Sequence, residues 1–295
     1  MKQLFHTLSK LITPLGKQLS PPAAMEALPA ESATAAVPGT RILIAEDQPV
    51  NMLLITTIIS NILPTAQIFK APNGREAIAL LSTANPDLIF MDIQMPEMNG
   101  YDTAQTIRTM ETVKRVPIIA LTAGTVKGER EKCLAAGMDD YVTKPFVENT
   151  IRQMFTKWLT PVTTAAEVPA TEEPSPVFPT LSVHFDKADF TARMGKHTEH
   201  MLRKLIPPTL KSLQSNLLDL QSVIEQRHLD GVQSSGHKIK GTALSMSLIQ
   251  LADYTETLEN IAEFDEPVIG ELLRKIELEI PLVRELLEEE LRQLQ

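Results

Sequence analysis

The chain has 295 residues and a formal net charge of −9, with a pI near 5.3, which is long enough for two domains that each bury a core. The acidic balance, with no basic cluster in the sequence, excludes a nucleic-acid surface. No apolar run approaches the roughly 20 residues that span a bilayer, and the single cysteine, Cys133, can form no internal disulfide, which suits a reducing cytoplasm.

Residues 1–39 begin MKQLFHTLSKLITPLGKQLS, where Leu4, Leu8, Leu11, Leu15 and Leu19 alternate with Lys2, Lys10 and Lys17. The apolar run is too broken for a secretory signal. It predicts a short amphipathic helix or a disordered leader, with attachment to a membrane surface as the alternative. Two proline-rich stretches, SPPAAMEALPAESATAAVPG (20–39) and TPVTTAAEVPATEEPSPVFPT (160–180), read as linkers. They leave a central block, 40–159, and a C-terminal block, 181–295.

In the central block strand and helix signals alternate. RILIA, AQIFK, DLIFM, VPIIAL and DDYVT read as strands. VNMLLITTIISNIL, NGREAIALLSTA, YDTAQTIRTM, GEREKCLAAG and VENTIRQMFTKWL read as the helices between and after them. Five such pairs predict an α/β fold, a five-stranded parallel sheet covered on both faces, with its ligand site at the carboxyl edge of the strands. That edge carries the polar residues: Glu46 and Asp47 after the first strand, Asp92 at the end of the third, Thr122 at the end of the fourth and Lys144 at the end of the fifth. Three converging carboxylates repel one another unless a cation sits among them, and an all-oxygen set suits Mg²⁺. A lysine and a hydroxyl at the same rim supply what a transferring phosphoryl group needs.

LIAEDQPVN, LIFMDIQMPEMNG, ALTAG and DDYVTKPF resemble the four signature segments of response-regulator receiver domains, which share the CheY-like, flavodoxin-like fold. The resemblance implies that Asp92 is the phosphoryl acceptor. It implies that Glu46, Asp47 and Asp92 hold Mg²⁺ with the Gln94 carbonyl, and that Lys144 and Thr122 bind the phosphoryl oxygens. It makes Tyr141 the switch aromatic and Lys144–Pro145 a cis peptide. Glu46 stands where many members have Asp. Gly124, two residues past Thr122, has no side chain to shield an acyl phosphate from water, so a short-lived phosphoaspartate is expected.

The C-terminal block loses its strand signals. Leucines recur at helical spacing through MLRKLIPPTLKSLQSNLLDLQSVI, SLIQLADYTETLENIA and VIGELLRKIELEIPLVRELLEEELRQL, which predicts an all-α antiparallel bundle. No ATP-binding glycine box or Walker loop is present in the sequence. Within SSGHKIKGTA, His237, Lys240 and Gly241 share one helical face. Gly236 and Gly241 are expected to clear space around the imidazole for a partner's backbone and a phosphoryl group, and Lys238 and Lys240 to offset the phosphate charge. The segment resembles the H-x-x-K-G core of histidine phosphotransfer (HPt) four-helix-bundle domains, with Ser247 where many members have glycine. The remaining histidines, His6, His184, His197, His200 and His228, read as structural or surface residues.

Together these expectations describe a two-component phosphorelay intermediate. It would accept a phosphoryl group on Asp92 from a partner histidine kinase and pass it through His237 to a downstream response regulator, with no membrane contact except through the N-terminal segment. It would be a phosphotransfer protein without a kinase domain, whose receiver catalyses its own phosphorylation and dephosphorylation. Two alternatives are the cytoplasmic tail of a larger hybrid sensor kinase and a phosphorylation-regulated scaffold.

Overall fold

A computed structural model describes residues 39–111, 115–123, 129–159 and 184–294. The N-terminal segment, the 160–180 stretch and Gly124 lie outside the described residues. The α/β part runs β1 (Arg41–Ala45), α1 (Pro49–Ile62), β2 (Gln67–Ala71), α2 (Gly74–Ala84), β3 (Leu88–Asp92), α3 (Gly100–Met110), β4 (Ile118–Thr122), α4 (Glu129–Ala135), β5 (Asp140–Thr143) and α5 (Glu148–Leu159). The strands form one parallel sheet in the order β2-β1-β3-β4-β5. Every residue of β3 and β4 is buried, as befits apolar strands covered on both faces. Alternation splits the core: Ile42 and Ile44 face α1 and α5, while Leu43 and Ala45 face α2, α3 and α4.

Helix starts follow their caps. Asn73 accepts from the Glu76 N–H to open α2, and Asn99 accepts from the Asp102 N–H to open α3. The chain order reverses between β1 and β3, so a crevice opens at their carboxyl ends, where ligands bind in such sheets.

After residue 184 the chain is helical: α6 (Lys187–Met194), a 3₁₀ turn (Gly195–His197), α7 (Thr198–Glu225), α8 (Leu229–Ser245), α9 (Ile249–Glu259) and α10 (Glu266–Gln293). Helices α7, α8, α9 and α10 pack in cyclic order, and α6 lies against α7. Helix α7 runs unbroken through Pro207 and Pro208. Ser247 lies in the α8–α9 turn with φ of 55°, the left-handed conformation that favours glycine. Its hydroxyl offsets that cost, donating to Asp189 (2.7 Å) and accepting from Arg193 (2.5 Å).

The two parts are not separate bodies. Helix α1 carries no charged side chain over its length and is apolar nearly all round, so it needs cover on both sides. One side packs on the sheet and α5; the other packs on α7 and α8 of the bundle. A single apolar core therefore continues from Ile42, Leu54 and Phe155 to Leu205, Ile239 and Leu251.

Candidate functional site

The carboxyl edge of the sheet brings Glu46, Asp47 and Asp92 together, with one oxygen from each within 4.8 Å of the others. Lys144 follows β5, where its N–H donates to the Thr122 carbonyl (2.6 Å), and the Lys144–Pro145 bond is cis. Its ammonium lies 2.8 Å from both Glu46 Oε2 and Asp92 Oδ2, and all three groups are buried. Thr122 is buried at the end of β4, in register with Thr143. Tyr141 is half-buried and packs against the core on the α2–α4 side of the sheet. The Gln94 N–H faces Asp92 Oδ1 at 3.4 Å.

The electrostatics fit a cation. Burial, then the Asp92 charge, pushes the Glu46 carboxyl up to about 8 against the opposing pull of Lys144. Burial and Asp92 likewise raise Asp47, with Lys144, Gln48 and Lys238 opposing. Asp47 Oδ2 accepts from Gln48 Nε2 (2.9 Å). Asp47 Oδ1 is buried with no hydrogen-bond partner among the described residues, a carboxylate oxygen awaiting a donor or a metal. Hard oxygen donors in this arrangement suit a divalent cation of the Mg²⁺ kind.

His237 lies on α8, nearly buried. Its Nδ1 is 2.8 Å from Glu259 Oε1 on α9. Burial disfavours the Glu259 charge, but the bond to His237 and the charges of His237 and Lys240 outweigh it, holding the carboxyl near 2. An ionised carboxylate only accepts, so Nδ1 carries a proton, and in the neutral ring Nε2 presents its lone pair. Lys240 Nζ is 3.0 Å from both Glu256 and Glu259; it anchors the carboxylate that orients the ring. Lys238 instead places its charge near Asp47.

The two flanking glycines differ in what they face. A Cβ on Gly236 would meet the Glu259 nitrogen and Leu258 Cβ at 3.0 Å and the Thr255 carbonyl at 3.1 Å, so this glycine seats α8 against α9 inside the bundle. A Cβ on Gly241 would meet Asn51 Nδ2 of α1 at 3.2 Å, so this one makes room for the α/β part. Of the remaining histidines, His184 pairs with the buried Glu279 (2.8 Å).

Three residues that the sequence reading did not single out, Asn51, Ser245 and Glu259, tie the acid edge to the histidine helix. Asn51 donates from Nδ2 to Glu46 Oε1 (3.1 Å) and accepts at Oδ1 from Ser245 Oγ of α8 (2.5 Å). Gln94 Nε2 lies 3.5 Å from Glu259 Oε1, the same oxygen that holds His237. The acid cluster and the histidine helix thus meet across one seam. The uncharged length of α1, unusual for a helix with an expected solvent face, was the available signal.

An acid crevice with a buried lysine at the edge of a five-stranded parallel sheet, packed beside a helical bundle that carries a carboxylate-held imidazole, is the arrangement of a receiver-type domain followed by a histidine-bearing bundle. Residues 42–156 match the response regulator receiver domain and residues 202–295 the Hpt domain, so the chain belongs to the receiver–Hpt proteins of two-component phosphorelays. It is 34% identical over 160 residues to the sensor histidine kinase GacS of Pseudomonas protegens, covering 53% of this chain and 16% of that protein. It is 25% identical over 255 residues to the virulence sensor protein BvgS of Bordetella pertussis, covering 81% of this chain and 20% of that protein. The chain thus spans a fifth or less of the length of these relatives. A solved receiver domain of a Pseudomonas aeruginosa sensor histidine kinase, with magnesium in its active-site cleft, is 36% identical, with a TM-score of 0.38, over 41% of this chain and 98% of that one. Among the described residues no helix is long and apolar enough to cross a membrane.

Proposed function

We propose that this chain receives a phosphoryl group on Asp92 from the phosphohistidine of a sensor kinase, transfers it to Nε2 of its own His237, and delivers it from there to a downstream response regulator. The observation that carries this reading is the seam itself, where Asn51–Ser245 and Gln94–Glu259 hold the histidine helix against the carboxyl edge. In the internal step the bond between phosphorus and the Asp92 carboxylate oxygen breaks as the bond to Nε2 forms, and the carboxylate leaves. The Nδ1 proton stays between the ring and Glu259, whose negative charge balances the cationic phosphoimidazole.

Glu46, Asp47 and Asp92, with the Gln94 carbonyl, would hold Mg²⁺, which supplies charge neutralisation at the phosphoryl oxygens. Lys144 and Thr122 bind those oxygens, and Thr122 with Tyr141 forms the switch that distinguishes the phosphorylated receiver. The setting is the cytoplasm, whose reducing conditions suit a single buried cysteine, Cys133, that forms no disulfide. The donor phosphohistidine can sit on a separate kinase or on the kinase core of a larger hybrid protein; the chemistry at Asp92 is the same.

The test uses a radiolabelled small-molecule acyl phosphate with Mg²⁺. The wild-type chain acquires acid-labile, base-stable label at His237, Asp92→Asn acquires none, and His237→Ala holds only base-labile label. Base-stable label persisting in His237→Ala, or never forming in the wild type, overturns the proposal.

A further inference from the structure

Asn51 is wholly buried in the first turn of α1, and both ends of its amide are used. Glu46 Oε1 accepts from the Gln48 N–H (3.2 Å) as well as from Asn51 Nδ2 (3.1 Å). The amino end of the amide is therefore fixed toward the acid cluster, and its carbonyl end must face the bundle. There it accepts from Ser245, itself buried. Gly241, one helical turn before Ser245, leaves the space in which the amide fits.

We infer that Asn51 and Ser245 form the recognition pair by which α8 seats this receiver, with Asn51 a positioning residue for transfer between Asp92 and His237. The rest of α1 offers mainly apolar contact, which attracts without fixing a register. A buried hydrogen bond is directional, and leaving either partner unmade costs the desolvation of that group. Rotating or sliding α8 by one residue would carry Ser245 off the amide and His237 away from Gln94 and the acid edge together. A receiver with an apolar side chain at this place on its first helix would take away the acceptor and leave the Ser245 hydroxyl only the strained alternative of its own helix's carbonyls. The pair therefore selects for receivers that present an acceptor there.

This inference rests on the phosphorelay reading, and its test separates the two. Label is loaded onto Asp92 from a small acyl phosphate, and its passage to His237 is followed in single turnover in the full chain, for wild type, Ser245→Ala, Asn51→Ala and the double variant. Ser245→Ala keeps a helix-favouring residue and leaves the Asp92 site untouched. Loading of Asp92 should match wild type while transfer to His237 slows roughly tenfold. The double variant should be no slower than the slower single variant, because each change removes the same bond. Wild-type transfer in Ser245→Ala, or losses that multiply in the double variant, overturns the inference while leaving the relay intact. A wild-type chain that never labels His237 overturns both.

Discussion

Replacing either glycine beside His237 by alanine separates two reasons for a glycine in a helix. In isolation each substitution favours the helix by about 1 kcal/mol. At Gly236 the new methyl would sit 3.0 Å from the Glu259 nitrogen, 3.0 Å from Leu258 Cβ and 3.1 Å from the Thr255 carbonyl, against a comfortable separation of about 3.5–4.0 Å. Two of these three atoms are α9 backbone, so relief requires the helix to move as a body. Overpacking of this kind costs about 1–3 kcal/mol, which leaves a net loss of up to about 2 kcal/mol after the helix gain. At Gly241 the one close atom is the Asn51 amide nitrogen at 3.2 Å, the end of a side chain on the other side of the seam. The strain there falls on the seam, and a single movable side chain relieves it more easily than α9 backbone can.

Urea unfolding of the full chain, followed by far-UV circular dichroism, checks the order. Gly236→Ala should lower the unfolding midpoint at unchanged slope, and Gly241→Ala, which meets one side-chain end where Gly236→Ala meets α9 backbone, should lower it less. The Gly236 change should also weaken transfer, because α9 carries the carboxylate that orients His237. A Gly236→Ala chain as stable as wild type would refute the close seating of α8 on α9 as the reason for that glycine.

Three further outcomes follow from the same contacts. Gly100→Ala would place a methyl 2.2 Å from the Asp92 carbonyl and 2.9 Å from Ile93 Cα, and because both are backbone atoms at the acceptor strand the loss should reach or exceed about 3 kcal/mol, read as a lower unfolding midpoint. Glu259 has its pKa depressed from 4.5 to about 2 in the folded chain, so its contribution is full above the unfolded value and is lost as pH falls through the folded one; the stability advantage of wild type over Glu259→Gln should be constant above about pH 4.5 and shrink toward pH 2 in urea titrations. Transfer from Asp92 to His237 in the intact chain should be independent of protein concentration, whereas a mixture of His237→Ala and Asp92→Asn chains should pass label slowly and in proportion to concentration; equal rates at low micromolar concentration would refute transfer within one chain.

The α/β architecture was legible because the central strands β1, β3 and β4 are short apolar runs followed or closed by polar residues, and the helices between them have their own period and, at α2 and α3, an asparagine cap. The acid edge was legible for a related reason: Glu46, Asp47, Asp92, Thr122 and Lys144 fall at strand ends, and parallel strands put those ends on one rim. Periodicity could not decide between a solvent face and a partner face. Gly236 read as open space beside the imidazole because sequence spacing gives the direction of a side chain but not what occupies it; here α9 fills the space. Ser247 read as a bare departure from glycine, since its partners Asp189 and Arg193 lie more than fifty residues away in the chain.

The seam is the larger lesson, and α1 shows why. A receiver helix that ends in solvent has charges on its outer face, yet PVNMLLITTIISNI has none, and only Pro49, at its first position, and Ser60 within it are exposed. That pattern states that a second surface exists without naming it. The name comes from two small residues one helical turn apart on α8: Gly241, which leaves a space the size of an amide, and Ser245, which supplies a donor at its edge. Opposite them, Asn51 stands five residues after Glu46, close enough for one side chain to touch both the acid cluster and the bundle. Neither half is a motif by itself, since an asparagine on one helix and a serine on another, 194 positions apart, carry no shared period. Their meaning is set by the apolar surfaces around them, which exclude water and so make a single hydrogen bond decide where α8 comes to rest.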